Sequence, residues 1–137
     1  TTSPSTYGSV TTHIALWLAS DTARLRQNEL DIILEPNNEI VVSVVSIWEM
    51  RIKWNKLFRS GDRKGPIHPR QMVLAIRRMN IVVMPLIAEH ASAELGVALK
   101  HEDPFDHLLL TVAQEMGGRL FTRDAGLRGH PLAYHAD

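Results

Sequence analysis

The chain contains no cysteine, which removes disulfides, thiolate zinc sites and cysteine nucleophiles together and is compatible with a reducing compartment. No apolar run approaches the ~20 residues needed to span a bilayer. No succession of basic, apolar and cleavage segments marks a signal peptide. A soluble, cytoplasmic protein with no membrane partner is the expectation. Net charge is also lacking: fifteen Lys and Arg balance fifteen Asp and Glu, so the total announces neither nucleic acid nor a lipid surface.

That balance conceals a lopsided distribution. Residues 51 to 70 hold seven Lys or Arg (Arg51, Lys53, Lys56, Arg59, Arg63, Lys64 and Arg70) against Asp62 alone, whereas residues 89 to 115 hold six acids against Lys100 alone. The chain is electrically polarised.

Its 137 residues make one domain, able to bury about two-thirds of the surface the unfolded chain exposes. Glu39 to Val45 and Ile81 to Met84 are short, β-branched and apolar, the pattern of strands buried on both faces, and Leu120 to Thr122 is a third. Helical patterns fall at 13–19, 22–34, 47–57, 70–79, 88–99 and 104–116. Strands alternating with helices predict an α/β fold with a mostly parallel central sheet flanked by helices on both faces. Gly117-Gly118 is read as a helix end, and Ser60 to Pro66 as a polar loop. The polar opening Thr1-Thr2-Ser3-Pro4-Ser5-Thr6 places a flexible tail at residues 1–9 and the folded domain at 10–137.

The informative residues are acidic. Ser46-Ile47-Trp48-Glu49 has capping-box spacing, with Ser46 as the N-cap and Glu49 at the third helical position. Asp103 followed by Pro104 and Asp106 is a second helix start, with Asp103 as the cap and the proline where its missing donor costs nothing. Each alone reads as ordinary helix capping. Asp124, however, directly follows a predicted strand, and in open parallel sheets the ligand crevice lies beyond the carboxyl ends of the strands. Glu49, Asp106 and Asp124 are therefore expected to converge on one edge. Clustered carboxylates repel, and a hard divalent cation with oxygen-only ligands, Mg²⁺ or Mn²⁺, relieves that repulsion.

The segments Asp103-Pro104-Phe105-Asp106-His107 and Leu120-Phe121-Thr122-Arg123-Asp124, with Ser46 to Glu49 upstream, resemble the acidic signature of the PIN-domain family. The particular likeness is to the VapC-like ribonuclease toxins of toxin–antitoxin pairs. It spans roughly residues 10 to 135. The resemblance implies a metal-dependent endoribonuclease in which Glu49, Asp106 and Asp124 are catalytic metal ligands and Asp103 an outer contributor. It also matches Thr122 to the hydroxyl residue two positions before the last acid, and it supports a first strand at Tyr7 to Val10. The partners it implies are an RNA substrate, a cognate VapB-like antitoxin and a second copy in a homodimer. Arg59, Arg63 and Lys64 are candidates for holding RNA phosphates. Trp17, Trp48 and Trp54 are read as packing residues of the core or a subunit interface.

One position departs from the pattern. Where the family's first strand ends in Asp-Thr-His, this chain reads Thr11-Thr12-His13, so a neutral hydroxyl replaces a central carboxylate while His13 keeps its match after the intervening threonine. Weakened metal affinity is the expected consequence. It raises an alternative to the toxin: a degenerate PIN module that keeps only antitoxin or RNA binding. A third reading is a nuclease acting on structured DNA or in RNA processing, since a fold does not fix its substrate.

Overall fold

The computed structural model describes residues 6–63, 65–100 and 103–136. Five strands form one sheet: β1 (Thr6–Val10), β2 (Asn38–Ser43), β3 (Val82–Met84), β4 (Arg119–Phe121) and β5 (Ala133–Tyr134). The order is β3-β2-β1-β4-β5, with every pairing parallel. Between them run α1 (Thr12–Ser20), α2 (Gln27–Leu34), α3 (Val44–Asn55), α4 (Pro69–Arg78), α5 (Ala88–Ser92) and α6 (Pro104–Glu115). The chain builds outward from β1 through β2 to β3, then crosses back to lay β4 on the other side of β1. The switch point of the sheet therefore lies between β1 and β4, the position where open parallel sheets present their crevice.

The first strand expected at Tyr7 to Val10 is present as β1, Thr6–Val10, so residues 6 to 9 of the stretch read as a tail lie in the central strand. Hydropathy does not reveal them: a strand paired on both sides has its backbone satisfied by its neighbours, and close approach favours small residues. A Cβ on Gly8 would stand 3.1 Å from the Arg119 carbonyl oxygen, and one on Gly118 would stand 2.6 Å from the Tyr7 carbonyl oxygen. Ser9 is buried, and its hydroxyl has no hydrogen-bond partner among the described residues.

The capping box at Ser46 is a second correction. Val44 and Val45, expected to close a strand, instead open α3, and Ser43 is its cap, accepting from the Val45 N–H at 3.1 Å. Ser46 thus lies inside the helix with Glu49 in the second turn. The helix expected over 88–99 stops at Ser92. Beyond it the Gln114 side chain accepts from the Gly96 N–H at 2.7 Å and donates to the Glu94 carbonyl at 2.9 Å, supplying partners a helix would have provided.

Other boundaries follow the sequence. Asp103 caps α6, its Oδ1 accepting from Phe105 N at 2.9 Å and Asp106 N at 3.2 Å, with Pro104 in the first turn. The helix is capped at Met116 and followed by Gly117, φ +71°. Gly118 N bonds to Ala113 O at 2.9 Å and Gly117 N to Gln114 O at 3.1 Å, the paired bonds of a Schellman motif.

Helices cover both sheet faces, as the α/β reading requires. Val10, Val42 and Phe121 face one core with Ile14, Ile33, Met50, Met72 and Ile76 from α1 to α4. Leu120 faces the other, with Leu109, Leu110 and Ala113 of α6. Alternate strand residues feed opposite cores, so the register of the short strands β1 and β4 is fixed by burial on both sides. Trp48 is not a core residue: it is 60% exposed.

Candidate active site

Beyond the carboxyl ends of β1, β2 and β4 lies a cleft of about 390 Å³ lined by Thr11, Thr12, His13, Trp17, Glu49, Asp103, Asp106, Arg123 and Asp124. Six of the residues singled out in the sequence (Thr11, His13, Glu49, Asp103, Asp106 and Asp124) meet there. Thr11 immediately follows β1 and is 5% exposed. Its N–H bonds to the Phe121 carbonyl at 3.0 Å, tying the ends of β1 and β4 together, and its side chain makes no cap bond to α1.

Thr12 locks the first turn of α1 to α3. Its hydroxyl donates to Glu49 Oε1 at 2.6 Å and lies 3.1 Å from the Ser46 hydroxyl. The displaced Ser46 therefore has a role inside the helix, orienting the threonine that orients Glu49. The other Glu49 oxygen stands 3.3 Å from Lys53 Nζ. Asp103 and Asp106 come from the first turn of α6. Asp124 follows β4, where buried Thr122 accepts from its N–H at 3.0 Å, and Asp124 Oδ1 in turn accepts from Gly126 N at 2.9 Å. Thr122 thus supports the cleft from beneath.

Arg59 and Arg63 lie on the exposed connection between α3 and α4 and do not line the cleft. Arg63 donates to the Trp54 carbonyl at 3.0 Å and stacks 4.9 Å from that ring's centroid. Lys64 lies outside the described residues.

Glu29 carries no local signal in the sequence. It is 2% exposed on α2, accepts from Arg26 N at 2.7 Å and from Arg123 Nε at 3.0 Å, and is paired through its other contact with the Arg123 guanidinium. Arg123 also donates to the Arg24 carbonyl at 2.9 Å and lies 4.5 Å over the Trp17 ring. Burial alone would raise the Glu29 carboxyl, but hydrogen bonds from Arg123 and the Arg26 backbone, with both cationic charges, hold it below the usual carboxylate range. Nothing local links residues 94 positions apart; the sole hint is a cation inside Thr122-Arg123-Asp124.

The donor set suits a hard cation in kind, because carboxylates from α3, α6 and the β4 end share one cleft. Among the described residues, however, no three acidic or histidine side chains are gathered closely enough to hold an ion. The cause is local. Glu49 is held by Thr12 and Lys53, and Asp103 and Asp124 are turned onto backbone N–H groups.

Fold and cleft together define a parallel α/β protein with an acidic crevice at its sheet's switch point. The PIN-domain family model matches residues 10–130, and the chain belongs to the PIN-domain family. Among solved structures, a chain in the crystal structure of VapBC2 from Rickettsia felis bound to a DNA fragment from their promoter superposes with a TM-score of 0.67. Its identity is 17%, with 96% of this chain and 99% of that chain covered, a likeness of fold. No curated protein matches this sequence.

Proposed function

We propose that the chain is a VapC-like toxin, a Mg²⁺- or Mn²⁺-dependent endoribonuclease neutralised by a VapB-like antitoxin. The observation that carries this reading is the meeting of Glu49, Asp103, Asp106 and Asp124 on one cleft at the switch point. In it Glu49, Asp106 and Asp124 hold the cation, and Asp103 fixes the start of α6 and contributes from outside. The bound cation supplies a polarised phosphate and a water of lowered pKa. Thr12 and Ser46 orient Glu49, Lys53 balances its charge in the resting state, and Thr122 fixes the peptide that carries Asp124.

Calorimetry is expected to find Mn²⁺ binding that Asp106→Asn weakens by about tenfold or more, since loss even of outer-shell partners costs roughly 10–100-fold. RNA cleavage should fall to background in the same variant. Unchanged Mn²⁺ affinity would remove Asp106 from the site.

A second reading, the degenerate module, is favoured by one feature: the buried, neutral Thr11 where the resemblance calls for a carboxylate.

Partner binding is supported by an apolar trough of about 550 Å³ between α3 and α4, with Ile47, Trp48, Val73 and Val83 in its lining and Arg51 and Arg77 beside them. Such a trough suits an amphipathic antitoxin helix with acidic flanks, or a second copy in the proposed homodimer. RNA phosphates are assigned to Arg59 and Lys64, with Arg63 engaged on Trp54. The double variant Arg59→Glu, Lys64→Glu spares Arg63 itself. It is expected to flatten the salt dependence of RNA binding, because each lost single-strand phosphate contact lowers the log–log slope by about 0.7. An unaltered slope, measured by fluorescence polarisation across a salt series, would return the cluster to plain solvated surface.

A further inference from the structure

The cleft poses an electrostatic difficulty for a polyanion. Its lining holds four carboxylates, of which Glu49 is paired with Lys53, and the arginine of the lining, Arg123, is itself paired with Glu29. Even with a divalent cation bound, the floor offers a nucleic acid little net attraction. A contact indifferent to charge is needed beside it.

His13 and Trp17 provide such a surface. Both line the cleft and lie one helical turn apart on α1, with ring centroids 5.9 Å apart and planes inclined by 37°. Trp17 is half-buried against the core and lies under the Arg123 guanidinium, which Glu29 and the Arg24 carbonyl fix in turn. Its indole is therefore held in one orientation before any ligand arrives, which reduces the ordering cost of binding. His13 is exposed. Arg123 occupies one face of the indole, so the exposed His13 ring, backed by Trp17, carries the stacking surface, and aromatic planes stack on nucleobases.

We propose that the His13–Trp17 wall is a stacking subsite for one unpaired nucleobase, adjoining the acidic floor of the cleft. The inference rests on the nuclease reading and adds to it a specificity element contributed by α1. Stacking requires a base free of its own helix, so the wall favours a single strand or loop over a duplex of the same sequence. It also anchors the strand without phosphate contacts, so its contribution persists at salt concentrations that abolish the effect of the basic connection.

The test is fluorescence polarisation with a labelled RNA oligonucleotide in Mg²⁺, its integrity checked by gel. Single strand, duplex and a single strand with abasic positions are compared. His13→Ala and Trp17→Ala are each expected to weaken single-strand binding by about fivefold or more, at low and at high salt alike. Trp17→Phe should lose less, and the abasic strand should bind both alanine variants and the parent chain equally. Because Trp17 also packs against the core, the exposed His13→Ala decides the matter if Trp17→Ala fails to fold. Equal affinities for parent and His13→Ala, or a preference for duplex, would overturn the subsite while leaving the nuclease reading intact. Failure of the parent chain to bind any of these RNAs would overturn the nuclease reading itself, and the subsite with it.

Discussion

Thr11→Asp is expected to bind Mn²⁺ at least about tenfold more tightly than the parent chain, as an added anionic ligand at a hard-cation site should. The backbone is already suited to the change. Residue 11 sits at the N-cap of α1 with φ −67° and ψ 163°, its hydroxyl makes no cap bond, and aspartate is among the best N-caps. The new carboxylate would enter the cleft that Glu49, Asp106 and Asp124 line. Two effects oppose each other in the absence of metal: capping stabilises, whereas crowding of a nearly buried charge with like charges destabilises by more. The midpoint of thermal unfolding should therefore fall without Mn²⁺ and rise above that of the parent at saturating Mn²⁺, where binding to the folded state adds its own stabilisation. RNA cleavage should accelerate, and Asp106→Asn in this background should abolish the gain. If metal affinity and cleavage stay at the parent's level while the protein remains folded, the register at β1 or the nuclease reading fails.

Arg123→Ala should lower stability by about 3–5 kcal/mol, the usual cost of stranding one member of a buried ion pair. Glu29 is the member that suffers, because its side chain is 2% exposed while that of Arg123 keeps 28%. The corresponding fall in unfolding midpoint is on the order of 10 °C or more. Glu29→Gln should cost less, since the remaining arginine keeps access to water. The pair also sets an acid limit. The Glu29 carboxyl is depressed in the folded state, so its contribution is fully present above the ordinary glutamate pKa of about 4.3 and is lost as pH falls through the lowered folded value. Glu29→Gln should flatten this part of the stability–pH profile. Chemical denaturation at pH 7 and at successively lower pH checks both claims, and an acid dependence unchanged in Glu29→Gln would assign it to other carboxylates.

Much of the fold is legible where a local signal and a tertiary demand coincide. The β-branched runs form β2 and β3, although β3 lies at the sheet edge with Val82 exposed rather than buried on both faces, and the Asp103-Pro104 start and Gly117-Gly118 end bracket α6. β1 is legible by resemblance and not by hydropathy, because its place at the centre of the sheet is secured by backbone pairing and demands small residues, which look like a polar tail. Ser43 rather than Ser46 is the cap of α3, a distinction capping-box spacing cannot make because either serine could stand at the turn. In the candidate site, the acids were legible from type and position relative to strand ends. Their present hydrogen bonds were not, because Thr12 reaches Glu49 and Arg123 reaches Glu29 only after the chain has folded. The same limit concealed Trp17, whose rôle depends on a guanidinium delivered from the far end of the chain.

The pairing of Gly8 with Arg119 has a kinetic side. It closes a loop on the order of a hundred residues, an entropic cost paid before the contact stabilises anything. During synthesis β1 leaves the ribosome first and must then wait, with one edge open, until β4 emerges. The cleft, whose walls include the ends of both strands, exists in no shorter nascent chain. A chain that ended before β4 would lack Asp124 and with it one wall of this acidic crevice.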